Sequence, residues 1–223
     1  MPSKPSSQSL GILVVLGSVW GLAEAGLGLT LQSCARLISG SVMTGVALFF
    51  IAAAWARTKR LFGPAVVVGV ALMFKLLDAA LLGLPLKHGA IANPMFAFLT
   101  EGLAFSLIVL FMAAMWRQKA AGRAFLGGLS ALVAVNLFPL VKFASGIPAC
   151  VYPGSTTPLS LYFAPIAVGA SLITVPLGFL VATKIETLET TAGIAAGSPL
   201  RRWLVPSGTA AFCLAVQVLL RII

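Results

Sequence analysis

Charge is what this chain has least of. Only 9% of its 223 residues are Asp, Glu, Lys or Arg, against roughly 25% in soluble globular domains. Acids number five and histidine one. So few charged groups cannot cover the surface of a water-soluble globule. A single His excludes a bis-His haem site, which needs two. A bare transition metal is disfavoured as a ligand, because soft N and S donors are few. No G-x-x-x-x-G-K-[ST] occurs in the sequence, so the chain has no phosphate loop of its own with which to use ATP. Neither G-x-S-x-G nor H-E-x-x-H is present, which makes an enzyme the weakest class and calls for no cofactor. Alternation of apolar and polar residues is also missing, which excludes an outer-membrane barrel.

What remains is apolar: 60% of residues are hydrophobic, and the mean hydropathy is +1.07. The apolar residues fall in runs of about 20, the length that crosses a hydrocarbon core as a helix. The fold class is therefore all-α, a polytopic transmembrane helix bundle. Seven spans can be drawn: Leu10–Leu31, Leu37–Ala56, Leu61–Leu84, Met95–Trp116, Ala124–Phe143, Leu159–Thr183 and Trp203–Ile223. This divides the chain into a polar tail (1–9), a six-span core (10–183), a connector (184–202) and a seventh helix (203–223). Gly127, Gly128 and Pro139 make the fifth span the one expected to bend. Ala170, Thr174 and Gly178 in the sixth recur every four residues and predict close helix packing. Lys4 before an apolar run and Ala23-Glu24-Ala25 imitate a cleaved secretory signal. The apolar run continues past that point to Leu31, however, and is read as a span.

The basic residues give the orientation. Lys4, Arg57, Lys59, Arg60, Arg117, Lys119, Arg123, Lys184, Arg201 and Arg202 share one side, while Arg36, Lys87, Lys142 and Arg221 fall on the other. By the positive-inside rule the N-terminus is cytoplasmic and the C-terminus faces out. The net charge of +10 is then mostly a topology signal in short loops, and nucleic acid is not a partner.

Glu24, Lys75, Asp78 and Glu101 lie inside spans. An ionisable group there costs about 2.5–3.5 kcal/mol on insertion scales and so faces the bundle interior. At ~1.5 Å per residue these four, with Asn136 and Gln217, fall about 4–8 Å to the outer side of their span midpoints. Lys75 and Asp78, at i and i+3, can pair with each other. Glu24 and Glu101 are then left without a basic partner in the layer, either protonated or waiting for a cation. Trp20, Phe74, Phe105 and Phe138 are near enough in register to add cation–π contact. Gly17, Gly21, Ala25 and Gly28 form a small-residue stripe beside Glu24. His88 reads as a solvated loop histidine. The turn-rich segment Ala144–Pro158 reads as a lid or an inert connector. Cys34 and Cys150 both fall outside, where a disulfide or two free thiols are open alternatives.

In architecture the segment Leu10–Thr183 resembles a substrate-binding S component of the energy-coupling-factor class of vitamin and micronutrient importers. The shared features are six short-looped Ala/Gly-rich spans, a cytoplasmic N-terminus and polar groups in the outer half. Trp20-Gly21-Leu22-Ala23-Glu24-Ala25, Lys75-x-x-Asp78, Asn93-Pro94 and Glu101-Gly102-Leu103-Ala104-Phe105 also resemble small bacterial membrane proteins of unassigned activity. The importer resemblance implies a bacterial inner-membrane protein that captures a small nutrient at its outer face. A separate coupling subunit, docked on stripes such as Gly17/Gly21/Ala25, and two ATPases would energise it. The seventh span departs from the six-helix pattern.

The leading expectation is thus a substrate-binding membrane subunit for a small cationic nutrient. Glu24 and Glu101 would be its anionic contacts, Trp20 an aromatic wall, Asn136 a hydrogen-bonding contact, and Lys75 with Asp78 part of the same layer. Two alternatives stand beside it. One is a non-catalytic subunit whose polar layer only locks helices together; the other is a proton-coupled transporter using Glu24 or Glu101 as relay.

Overall fold

The computed structural model describes residues 7–34, 38–146, 148–191 and 199–222, with side chains over 10–26, 38–146, 148–189 and 203–222. Helices account for almost all of it: α1 Ser7–Cys34, α2 Ser39–Thr58, α3 Phe62–Leu81, α4 Gly89–Phe111, α5 Ala114–Gln118, α6 Ala120–Leu137, α7 Val141–Ser145, α8 Leu159–Tyr162, α9 Ala164–Thr191 and α10 Pro199–Ile222. Hydrocarbon offers backbone groups no hydrogen-bond partner, so each segment must satisfy its own, which helices do. Six segments are long and apolar enough to cross a membrane: α2, α3, α4, the α6–α7 unit, α9 and α10. This is a multi-pass membrane protein. α1 is also long, at 28 residues, and apolar from Leu10 to Gly26.

α2 is the axis of the bundle and touches α1, α3, α4, α6 and α9. Its Ala52, Ala53, Ala54 and Ala56 are buried, because small side chains let neighbouring backbones approach. The Ala170/Thr174/Gly178 stripe of α9 meets α2 as its spacing predicts. A Cβ on Gly45 would stand 2.8 Å from that of Ala170, and one on Gly178 would stand 2.4 Å from the Phe49 carbonyl oxygen. Thr174 Oγ1 donates to the Gly45 carbonyl at 2.7 Å. α1 uses its own stripe within the chain: Gly17 lies against Val70 and Gly21 against the Phe74 ring of α3. That face is therefore not open to a coupling subunit, contrary to the expectation above.

The fifth span is interrupted around Pro139: α6 stops at Leu137, a 3₁₀ turn covers Phe138–Leu140, and α7 follows from Val141. The Gly127-Gly128 pair instead admits α9, since a Cβ on Gly127 would come within 2.2 Å of the Ser171 carbonyl oxygen. Helix α4 begins at Gly89, six residues before the expected Met95, with Pro94 inside it. His88 is exposed, as expected of a loop histidine, and caps α4 by accepting from the Ala90 N–H at 3.2 Å. The sixth span is split before Pro165, with α8 preceding α9. α9 then runs on to Thr191, so much of the expected connector prolongs that helix. There Arg57 bridges to Glu189 and, at 3.9 Å, to Glu186. Of the expected N-terminal tail, Ser7–Ser9 belong to α1. Residues 1–6 and 192–198 lie outside the described residues.

Successive long helices alternate in direction. One end of the bundle therefore collects the C-terminal ends of α1, α3, α6 and α10 with the N-terminal ends of α2, α4 and α8, and a cavity opens among them. The other end collects the α2–α3 turn, the end of α4, α5 and the start of α6 around a second cavity, with Phe179 of α9 on its wall.

Candidate functional site

The first cavity measures about 720 Å³, within the usual range for a small-molecule site. Glu24 from α1, Thr44 from α2, Lys75 from α3, Asn93 and Glu101 from α4, and Arg221 from α10 all reach its wall. Of the sequence-derived candidates, Glu24, Glu101 and Lys75 meet here, and Asp78 stands directly behind them. These are groups that counting along each helix puts at one level.

Glu101 is buried. It is 3% exposed, the Thr44 hydroxyl lies within hydrogen-bonding reach of its carboxyl group, and its Oε2 is buried without a hydrogen-bond partner among the described residues. Thr44 itself is oriented by donating to the Gly40 carbonyl at 3.1 Å. A Cβ on Gly102 would stand 3.0 Å from the Val68 side chain of α3, so the glycine lets this part of α4 lie close against the bundle. Glu24 is partly buried and close enough to Glu101 for the two carboxyls to act on each other electrostatically. A buried carboxyl oxygen without a partner is costly, and the residue that carries it belongs to the cavity lining.

Asp78 has a different set of partners from the one expected. Its carboxylate takes a two-pronged bond from Arg221, Nε to Oδ1 at 2.8 Å and Nη2 to Oδ2 at 2.8 Å. Gln217 Nε2 donates to Oδ1 at 2.8 Å and to the Phe74 carbonyl at 2.9 Å. Lys75 Nζ lies 3.3 Å from Oδ2. The Lys75–Asp78 pair therefore exists, but it does not cancel. Arg221 already satisfies Asp78, and both Lys75 and Arg221 act electrostatically on Glu24. Glu24 thus has cations near it, which corrects the expectation of two carboxylates with no basic partner in the layer.

Two candidates lie off the wall. Trp20 is fully buried in the core, its indole 4.8 Å from the Phe98 ring and stacked at 6.4 Å on Phe50. It is no part of the cavity lining. Asn136 is exposed on the outer flank of α6 and donates to the Leu132 carbonyl at 2.7 Å. The inward face of α6 is formed by Ala131, Ala134 and Val135, and one residue further turns about 100° round the helix. Asn136 has the right depth and the wrong azimuth. Of the expected aromatics, Phe138 lines the cavity, whereas Phe74 and Phe105 are buried in packing.

Arg221 is the functional residue the sequence reading missed. The signal was present, because Gln217 and Arg221 at i and i+4 share one face of α10. The segment before α8 reaches the wall at Cys150, and α8 itself does so at Leu159 and Ser160. It is ordered by Tyr152 N–H to Thr157 O at 2.9 Å, by Leu159 N–H to Cys150 O at 2.9 Å, and by a Tyr152–Tyr162 stack at 3.9 Å. Cys150 is a free, exposed thiol, and the side chain of Cys34 lies outside the described residues. Among the described residues no group of three or more His, Cys, Asp and Glu comes together as a metal site.

Comparison with protein-family models, with curated proteins and with solved structures yields no match.

Proposed function

We propose that this protein is an integral membrane substrate-binding subunit that takes up a small cationic nutrient from the outer face. On this reading α1 is a seventh span, the N-terminus is cytoplasmic, and the 720 Å³ cavity opens to the outside. The basic turn at the opposite end, with Lys59, Arg60, Arg117 and Arg123, supports that orientation through the positive-inside rule. The observation that carries the proposal is Glu101, a residue on the lining of a cavity of ligand size whose buried carboxyl group has an oxygen without a hydrogen-bond partner among the described residues. A protonated amine placed there would supply the donor that Oε2 lacks, and Glu24 would add a second attraction. Lys75 and Arg221 on the same wall favour a ligand that is cationic at one end and carries an acceptor at the other. Energy for uptake would come from separate membrane and ATPase subunits, because the chain has no nucleotide loop of its own.

The test is mass spectrometry of small molecules that co-purify with the detergent-solubilised protein, wild type against Glu101→Gln and Glu24→Gln. The proposal expects an amine-bearing compound to be retained by the wild type and lost from both variants, each still folded by thermal melt. Equal recovery from all three, or no retained compound at all, overturns it. If both variants keep the compound but lose stability, the polar layer is a helix lock.

A further inference from the structure

The second cavity, about 550 Å³ at the opposite end, is built from cations and aromatic rings. Its floor is Trp55 at the end of α2 and Phe179 of α9, with ring centroids 5.7 Å apart. Three cations converge on these rings. Lys59 Nζ is 5.3 Å from the Trp55 centroid, Arg117 Cζ is 5.2 Å from the same ring, and Arg123 Cζ is 4.9 Å from Phe179. Each is held in place by the backbone. Lys59 ends α2 in the left-handed region at φ 53°, a conformation uncommon for a non-glycine residue. Arg117 Nη1 donates to the Val109 carbonyl at 2.7 Å, and Arg123 Nε donates to the Arg117 carbonyl at 3.0 Å. A guanidinium has five N–H groups, so these bonds fix the two arginines and leave most of their donors for a ligand.

Of the nearby acids, Glu189 is engaged by Arg57, while Glu186, 3.9 Å from Arg57, also attracts Lys59; one shared carboxylate against three cations leaves the group net positive. Like charges held this close repel one another, and an anion between them relieves that repulsion. The cavity also opens beside exposed apolar side chains, since Leu61 and Leu110 on its wall are 36% and 60% exposed. Basic pockets of this kind, between spans at a membrane surface, suit phosphate-bearing headgroups.

We infer that this pocket binds a phosphate group, with Arg117 and Arg123 as its forked donors, Lys59 as a third cation, and Leu61 and Leu110 against an acyl chain when the phosphate belongs to an anionic phospholipid. A free phosphate compound offers the same chemistry without the chain, and the experiment separates the two sources. The intact protein in detergent is titrated with short-chain phosphatidylglycerol, short-chain phosphatidylcholine and inorganic phosphate, and binding is followed by native mass spectrometry and thermal shift. The expected result is saturable phosphatidylglycerol binding, at least tenfold weaker in Arg117→Gln/Arg123→Gln and unchanged in the charge-matched control Lys87→Gln/Lys184→Gln. Inorganic phosphate that displaces the lipid assigns the pocket to soluble phosphate compounds; lipid binding that resists it assigns the pocket to the headgroup. Should the double variant misfold, Lys59→Asn, which suits the left-handed backbone, is expected to weaken the same binding about threefold or more. Equal binding of both lipids in every variant, equal loss in the control, or no phosphate binding of any kind overturns the inference.

Discussion

Replacing Asp78 with Ala tests whether one carboxylate seats α10 on the bundle. α10 packs chiefly on α1 and also touches α3, and its polar attachment to α3 is the Asp78 cluster. The side chains of Asp78 and Arg221 are 2% and 10% exposed, so the attraction is little screened by solvent. Without the carboxylate, Arg221 and Lys75 stand together as two cations, and Gln217 loses an acceptor. Breaking a buried pair in this way costs about 3–5 kcal/mol. Arg221→Met should cost less, about 1.5–3 kcal/mol, because Lys75 at 3.3 Å and Gln217 at 2.8 Å still satisfy the acid. Unfolding in mixed detergent measures both. A local readout comes from Cys213 on α10, which is 3% exposed. In a Cys34→Ser/Cys150→Ser background its maleimide labelling should accelerate in Asp78→Ala. If Asp78→Ala stays within ~0.5 kcal/mol of the parent, or Arg221→Met proves the more damaging, the clamp is not what holds this helix.

Gly127→Ala should destabilise by about 1–3 kcal/mol through overpacking against the Ser171 backbone; Gly169→Ala, where a Cβ meets nothing within 4 Å, should change unfolding by less than ~0.5 kcal/mol. In a Cys34→Ser/Cys213→Ser background, Cys150 on the cavity wall should be labelled by an impermeant maleimide added outside intact cells. Labelling only from the cytoplasmic side would reverse the orientation proposed above. Burial, then Arg123 and Arg117, holds the Lys59 ammonium below the usual lysine range against the pull of Glu186. The unfolded chain therefore binds that proton more tightly, and folding stability should rise with pH from the lowered value up to about 10.4. The pH profile of Lys59 acetylation should reflect the lowered value and move upward in Arg123→Gln; an unmoved profile would count against the assignment.

The sequence carried the class of the fold because hydropathy runs and charge scarcity depend only on one-dimensional spacing. Small-residue spacing located the tight face of α9, which meets α2 at Gly45. It failed to name the partner for Gly17 and Gly21, since a stripe says that something approaches closely and never what. Depth along a helix put Glu24, Lys75, Asp78 and Glu101 at one level. Azimuth was legible only where a second residue marked the same face, as Gly21 did for Glu24. Nothing marked the face of Asn136, and Trp20, one turn from Glu24, proved to be core. The partner choice of Asp78 could not be read from spacing, because an i, i+3 lysine is always close in sequence while Arg221 comes from the far end of the chain.

Arg221 also bears on how far the six-helix resemblance can extend. The resemblance drawn from the sequence would cover Leu10–Thr183 and would treat the last span as an addition. Yet Arg221 of that span forms part of the cavity wall and at the same time grips Asp78 with two bonds. A six-helix version of this chain would keep Lys75 and Asp78 as a neutral local pair, and its cavity would lose one of its two basic wall residues along with the helix carrying it. The carboxylates Glu24 and Glu101 would then face a more open and more negative space. α10 therefore contributes to the charge of the lining as well as to its boundary. Under the proposed function, uptake of a ligand with both an amine and an acceptor would require α10 in place, whereas a simple cation would bind the shortened form as well or better. Comparing the compounds retained by the full chain with those retained by a chain ending before Pro199 decides between these two, provided the shortened protein still folds by thermal melt.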